Sequence, residues 1–501
     1  MKSLVRFICA VLLLLTVPPS PAQSKSAALN LSYNDLLKIV DTSICLNKKS
    51  WGGQCAPEAV KIHDATTAQE LTLKCPGCLT ELKVRGDKAS GKLKVATPEG
   101  EKELRFNAQA PAAADLSTQV VAKLDGYYSF RFFNKAKRPR GLATDGKGNL
   151  LVTDFGTGQN DGKVWKIPVK NFDRQTFLVN SVEGTEMVSG MPSVKIDTTF
   201  QGQPIKSIVG LSSVRLDGSA LIALTNRITS KEEKDPLVGL HDTPIASLLR
   251  INLDTGNNAR GASAPLKQAL QSAQPKPFTL LASLWDFEDK YNPDQKGKEC
   301  DPFDLAVRSG YAYATDAGGN DLLRINLATG EMNLYASFKQ LPNPLYNSQQ
   351  PTSFLNRPER DPVPSGIAFG PDGALYVALL AGYPFPQGHS GIARLVDSNR
   401  NGNALDAGEE KMVVDGLTSA VGVAFDAGGV MYTSEYSMDL LKNAPGRICQ
   451  IRDGKCSVTL TDKVISPTSI IVIGQYLYFS QEFLGLVGRL PLPSSKQKAK
   501  S

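Results

Sequence analysis

Residues 364–379 read PSGIAFGPDGALYVAL. A short apolar run, an Asp-Gly turn and a second apolar run form the pattern of two antiparallel strands joined by a tight turn. The phrase recurs as RGLATDGKGNLLVTD at 140–154, VGLSSVRLDGSALIALTN at 209–226 and DPFDLAVRSGYAYATD at 301–316. Further copies are AVGVAFDAGGVMYTSE at 420–435 and SPTSIIVIGQYLYFSQE at 466–482. Each leads into another strand-like run: KVWKIPV, SLLRINL, LLRINLA, GIARLVD, GRICQIR and VGRLPLP. A unit of three or more strands cannot bury both its faces alone. Stacking units around an axis buries them and protects their edges, so six copies predict an all-β chain folded as a six-bladed β-propeller. The copies start about 46 to 92 residues apart, against ~40–50 for regular repeats, so the excess is inserted loops. The last copy ends near Leu492 with three strands. The spare segment 119–124 is expected to complete that blade and close the ring.

The rest of the chain bounds the setting. It has 501 residues, 41% of them hydrophobic, enough for a sizeable core. Its 43 glycines and 31 prolines suit many turns. The net charge of +7 is scattered apart from a basic tail at 493–501, so it leaves no stripe for nucleic acid. Lys2 and Arg6 precede an apolar run to Val17, with a small-residue cleavage site at 20–22. Residues 1–22 therefore read as a signal peptide, and the mature chain as an exported protein, periplasmic or extracellular, with no transmembrane segment.

Residues 25–115 do not follow the repeat and are expected to form a small cysteine-containing N-terminal domain, ahead of a propeller over 119–492. They include a helix near 32–42 and a hairpin within 92–106 (KLKVATPEGEKELRF); the alanine-rich 108–114 reads as a linker. Export permits disulfides. Cys449 and Cys456 flank an Asp-Gly turn and suit a bridge across a hairpin. Cys45, Cys55, Cys75 and Cys78 favour two disulfides over a zinc site, and a redox role ranks last because no thioredoxin-like unit is evident. Cys300 is left over.

Five stretches together resemble the ScyD/ScyE family of exported proteins: NPD at 292–294, CDPFDLAV at 300–307, TDAGGNDLLRIN at 315–326, VPSGIAFGPDGALYVALLAGYPFP at 363–386 and VGVAFDAGGVMYTSE at 421–435. The resemblance covers about residues 120–492. It implies a six-bladed propeller related to NHL repeats and an export route, and little mechanism.

Candidate chemistry follows from the strand order. The loops after each second strand share a face with the starts of the first strands. Asp154, Asn226, Asp316, Glu435 and Glu482 fall there, with Asp301 and Asp304 where one blade begins. Carboxylates and amides around one axis suit calcium, which takes six to eight oxygens, and SMP-30-like lactonases are similar in using such a site. The competing reading is that each acid caps its own turn by accepting backbone N–H groups; repetition favours the cap. The long loops 227–246, 286–300, 339–363 and 381–391 share this face, and Tyr383, Phe385 and His389 in the last suit a ligand wall. Residues 397–409 read DSNRNGNALDAGE. Asp397, Asn399, Asn401 and Gly402 match a calcium loop, with Glu409 one residue late and Asp406 as a substitute ligand. This loop is expected on the opposite face. The three histidines, His63, His241 and His389, and the lack of a G-x-S-x-G elbow, Walker loop or dinucleotide fingerprint give catalysis little support. The expected function is binding of a small ligand or an exported protein partner on the loop-rich face. The alternatives are a calcium-dependent lactonase-like or lyase-like hydrolase and a docking scaffold.

Overall fold

In this computed structural model of the chain, the described residues are 28–40, 58–75, 78–85, 87–97, 100–111, 133, 135–172, 176–177, 182–200, 203–226, 244–252, 277–353 and 356–493. The signal segment 1–22, Cys45, Cys55, His241 and most of the tail lie outside them.

Six antiparallel sheets follow one another. Blade one is Pro139–Thr144, Asn149–Asp154, Gly162–Pro168 and Thr185–Met191. Blade two is Gln203–Asp217, Ala220–Thr225, Ser247–Ile251 and Phe278–Ser283, with Ser193–Phe200 paired to the first half of its long first strand. Blade three is Pro302–Arg308, Tyr311–Asp316, Asp321–Asn326 and Met332–Ser337. Blade four is Pro364–Phe369, Leu375–Leu379, Ser390–Leu395 and Glu410–Leu417. Blade five is Ala420–Phe425, Met431–Glu435, Gly446–Arg452 and Lys455–Val464. Blade six is Pro467–Ile473, Tyr476–Gln481 and Leu486–Pro491.

A row of six sheets would share five interfaces; this one shares six. Buried apolar clusters join blades one and two (Leu151, Leu211), two and three (Leu224, Leu305), three and four (Leu322, Val377). Others join four and five (Ile392, Val423), five and six (Tyr432, Leu477), and six and one (Tyr478, Leu142). The chain is therefore an all-β, six-bladed propeller, with the first strand of each blade innermost and beside the next around the whole ring. Every innermost strand slips register near its start, as between Pro139 and Leu142 or Pro364 and Ile367. Such bulges bend the strand at the rim. The repeated small residue has its reason here. A side chain on Gly141 would stand 2.5 Å from the Ser212 carbonyl oxygen, and one on Gly366 2.5 Å from that of Val421.

The ring is sealed by Phe133, which exchanges both backbone hydrogen bonds with Val487 at 2.9 Å. Ser480 Oγ also donates to the Arg140 carbonyl at 2.5 Å across the seam. Closure was expected from 119–124; those residues lie outside the described ones, and the described closure falls further along, at Phe133.

The N-terminal residues build their own core. Leu29–Leu31, Gly100–Gln109, Lys88–Thr97 and Leu79–Arg85 form a sheet, with a helix at 33–40 burying Leu36, Ile39 and Val40. The expected hairpin at 92–106 is the longer pair Lys88–Thr97 and Gly100–Gln109. Thr176–Phe177, from the last connection of blade one, extends this sheet beside Leu79–Arg85. Among the described residues no helix is long and apolar enough to cross a membrane.

Candidate functional site at the propeller mouth

The repeated polar residue at the end of each second strand acts first as a latch. Asp154 accepts from the backbone N–H groups of Lys137 (3.0 Å), Arg138 (2.9 Å) and Gly156 (3.0 Å), and from the Trp165 indole at 3.2 Å. Asn226 accepts from Gly210 N at 3.0 Å and Asp316 from Asp301 N at 2.7 Å. Glu435 accepts from Thr418 N at 2.6 Å and Gln481 from Ile465 N at 2.7 Å. Each thus ties down the segment entering its own blade, whose N–H groups have no ladder partner. Blade four carries Leu379 at this register and has no such latch.

The axial mouth is built from other side chains. Arg140, on the innermost strand of blade one, lies over the Phe303 ring at 4.4 Å and the Phe155 ring at 5.3 Å. Blades one and three are separated by blade two, so the contact with Phe303 spans the channel mouth and not a blade interface. Arg140 also faces Glu482 of blade six at 3.8 Å, and its Nε is buried without a partner. Arg138 pairs with the same carboxylate and lies 5.3 Å over the exposed Phe483 ring. Asp301 completes the group: it accepts from the Asn226 side chain at 3.2 Å. Burial pushes its carboxyl up to about 7; Arg140 and Asn226 oppose the rise, and the charges of Asp316 and Glu482 add to it. Tyr436 of blade five lies within the field of Glu482, Arg140 and Arg138, and burial pushes its phenol up to about 12.

The expected residues therefore divide. Asp301 and Glu482 come together at the mouth, and Asn226 serves both mouth and latch. Asp154, Asp316 and Glu435 are held in their own turns, Glu435 also by Arg447 at 2.6 Å. Asp304 sits lower on the innermost strand and stitches blades: it accepts from Ser213 Oγ at 2.6 Å and pairs with Arg215 at 2.9 Å. Among the described residues no three of these acids bring donor atoms within 4.8 Å of one another, and the Arg138 and Arg140 guanidinium groups stand beside Glu482. Arg138, Arg140, Phe303 and Tyr436 were not singled out from sequence. The signal was there in KRPRG at 137–141, the one copy that begins with paired arginines.

Tyr383 and Phe385 meet edge to face at 5.5 Å, both half-buried. His389 is exposed, and its carbonyl accepts from Arg360 at 2.8 Å. Arg360, His389, Leu341 and Met412 line a groove of about 400 Å³ on the flank of blade four. The 397–409 loop joins the third and fourth strands of blade four, on the face opposite the mouth. Asn399 and Asn401 both donate to Asp406 Oδ2, at 2.6 and 2.8 Å, and Asp397 Oδ1 is buried without a partner. The Glu409 carboxylate accepts from Ser398 N (2.8 Å), Ser398 Oγ (2.7 Å) and Asp406 N (3.3 Å), and so caps the loop.

Cys449 and Cys456 form the expected disulfide, with Cα atoms 5.7 Å apart beside the Asp453-Gly454 turn, where both φ angles are positive. Glu435 lies near their sulfurs, but two bonded sulfurs and an arginine-paired carboxylate do not bind a metal. Cys78 is disulfide-bonded and buried; the side chain of Cys75 lies outside the described residues. Cys300 is a buried free thiol.

No family model and no curated protein matches the chain, so the ScyD/ScyE likeness rests on its quoted motifs. Among solved structures it is similar to virginiamycin B lyase from Staphylococcus aureus, at 13% identity over 72% of this chain and 87% of that one, with a TM-score of 0.36. It is also similar to a gluconolactonase from Xanthomonas campestris, at 13% identity over 72% and 88%, with a TM-score of 0.40. A luciferin-regenerating enzyme shows 12% identity over 70% and 86%, with a TM-score of 0.38. Likeness at this level carries no argument about activity; the propeller architecture stands on the chain's own strand pairing.

Proposed function

We propose that the chain is an exported β-propeller of the ScyD/ScyE kind that binds a ligand at its axial mouth, either a small molecule with a carboxylate or the acidic end of a protein partner. One observation carries this: Arg140 lies between Glu482 of blade six and Phe303 of blade three, with a buried Nε left unpaired. A planar guanidinium on an aromatic wall recognises carboxylates through paired N–H bonds. The 397–409 loop is suited to a structural calcium ion held by Asp397, Asn399, Asn401 and Asp406, away from the mouth. Titration calorimetry with aliphatic and aromatic carboxylates tests the mouth. Binding should weaken about tenfold or more in Arg140→Ala, a loss of at least ~1.4 kcal/mol. Equal affinity in wild type and variant would remove the mouth as the site.

A second reading has its own observation. The Asp301 carboxyl at about 7, beside Arg140, suits acid–base chemistry on a bound ligand. It offers a basis for an enzyme of the lactonase or lyase kind beside the calcium-dependent one. Asp301→Asn should then abolish turnover of a bound ligand while leaving its affinity within a few-fold.

A further inference from the structure

The phrase Thr-Asp followed by glycines and a second acid occurs twice, as TDFGTGQNDGKV at 153–164 and TDAGGNDLLRI at 315–325. In blade one the second acid is satisfied locally. Asp161 accepts from Thr157 N (2.7 Å), Thr157 Oγ1 (2.8 Å) and Gln159 N (3.3 Å). In blade three it is not. Asp321 is 2% exposed, and its Oδ1 is buried with no hydrogen-bond partner.

The helix Leu284–Tyr291, capped by Ser283, brings a second such group. Glu288, also 2% exposed, accepts from Glu299 N at 3.3 Å through one oxygen, while its Oε2 is buried and unpartnered. Asp316 adds a third carboxylate, with one oxygen taking Asp301 N, Gly318 N and Gly319 N at 2.7–3.0 Å. All three meet at Gly319. A side chain there would stand 3.3 Å from Glu288 Oε2, 3.4 Å from Asp321 Oδ2 and 3.4 Å from the Asp316 carboxyl carbon. The hollow between them is thus bordered by three acids and by Gly319, which adds no side chain, with the buried Cys300 thiol hydrogen-bonded to Asp316 beside it. The buried Oδ1 of Asn292 also lacks a partner, and Asp294 adds its charge nearby. Burial and then neighbouring carboxylates push Asp321 well up, and no basic group opposes them. Glu288 is pushed up to about 7 by burial, with Asp316 and Asp294 adding.

We propose that this hollow holds a divalent cation, calcium by the chemistry of its donors, between Glu288, Asp316 and Asp321. Buried carboxylates without a counter-charge cost several kcal/mol each, and an ion removes that cost. The donors are hard oxygens from two strand ends and one helix, which suits calcium's six to eight flexible contacts better than the strict octahedron of magnesium. No three of the acidic donor atoms lie within 4.8 Å of one another. The ion would draw the Glu288 side chain inward or reach it through water. Bound there, it would pin the helix and the segment leading to Asp301 onto blade three, independently of what the mouth binds.

The 397–409 loop must be separated in the test. Full-length protein stripped with a chelator is titrated with calcium by calorimetry and followed by melting temperature, as wild type and as Asp397→Ala. The Asp397→Ala protein should still bind one calcium ion and melt higher with it. Adding Asp321→Asn or Glu288→Gln should weaken that binding about tenfold or more. Asp321→Asn should also melt higher than its parent in chelator, because a buried charge is gone. Absence of a calcium response in Asp397→Ala, or equal affinity with and without both added substitutions, overturns the site. So does a rise in melting temperature on Asp321→Asn with no calcium effect in its parent, which would mark a cluster that only shares protons. Glu288→Gln, at the helix, keeps the test decisive should Asp321→Asn fail to fold.

Discussion

Replacing Asp154 with alanine separates a latch from a ligand residue. The carboxylate is 1% exposed and accepts four hydrogen bonds. Truncation leaves the Gly156 N–H and the Trp165 indole unpaired where water does not reach, at about 1–3 kcal/mol for each orphaned donor. The Lys137 and Arg138 N–H groups lie nearer the surface, so water replaces part of their loss. The sum is a destabilisation of about 4 kcal/mol. Asp154→Asn keeps one acceptor but turns an amide N–H₂ toward donors, and should lose roughly half as much. Urea unfolding at fixed pH measures both, with an unchanged slope showing that the same surface is exposed. A loss below about 1 kcal/mol for Asp154→Ala would refute the latch. If stability held while mouth affinity collapsed, Asp154 would be a ligand residue instead.

Other perturbations have equally definite outcomes. Asp301 titrates near 7 in the folded chain against an ordinary 3.8, so the fold keeps a proton that the unfolded chain releases from about pH 4. Stability should therefore fall as pH rises from about 4 to 7 and level off above; Asp301→Asn should make that slope shallower in urea midpoints taken across the range, the remainder coming from Glu288, whose carboxyl is also pushed up to about 7 by burial. Phe133 is fully buried at the seam, edge-on to Trp165 at 5.2 Å; Phe133→Ala should cost about 3–5 kcal/mol in the same unfolding assay. Glu482→Ala strands Arg138 and Arg140 at the mouth and should destabilise by about 3 kcal/mol. Glu482→Ala with Arg138→Ala should cost less than the sum of the two single changes, a coupling read from the double-mutant cycle.

The fold was legible because the repeat writes its own physics. Glycine stands where the next innermost strand passes close, as at Gly141 and Gly366, and a polar residue stands where an entering strand needs an acceptor. The acids Asp154, Asp316 and Glu435 read as caps for the same reason. What the chain order hid was depth and direction. Nothing in the local pattern says that Arg140 reaches Phe303 two blades away, since that contact depends on the ring bringing together segments far apart. Nor does it show that Asp321 is left unsatisfied while its counterpart Asp161 is not, because Thr157 and Gln159 have no equivalents in the shorter blade-three turn.

Ring closure brings Arg140 and Glu482 together, and so underlies the mouth. Phe133 and Val487 form a hydrogen-bonded antiparallel pair, for which Cα atoms stand about 5.5 Å apart, within disulfide range. Oxidising a Phe133→Cys, Val487→Cys double variant and mapping its linked peptides by mass spectrometry should show a 133–487 bridge within one chain. Unlinked thiols at both positions, or links only between chains, would mean that the two ends of the propeller do not meet.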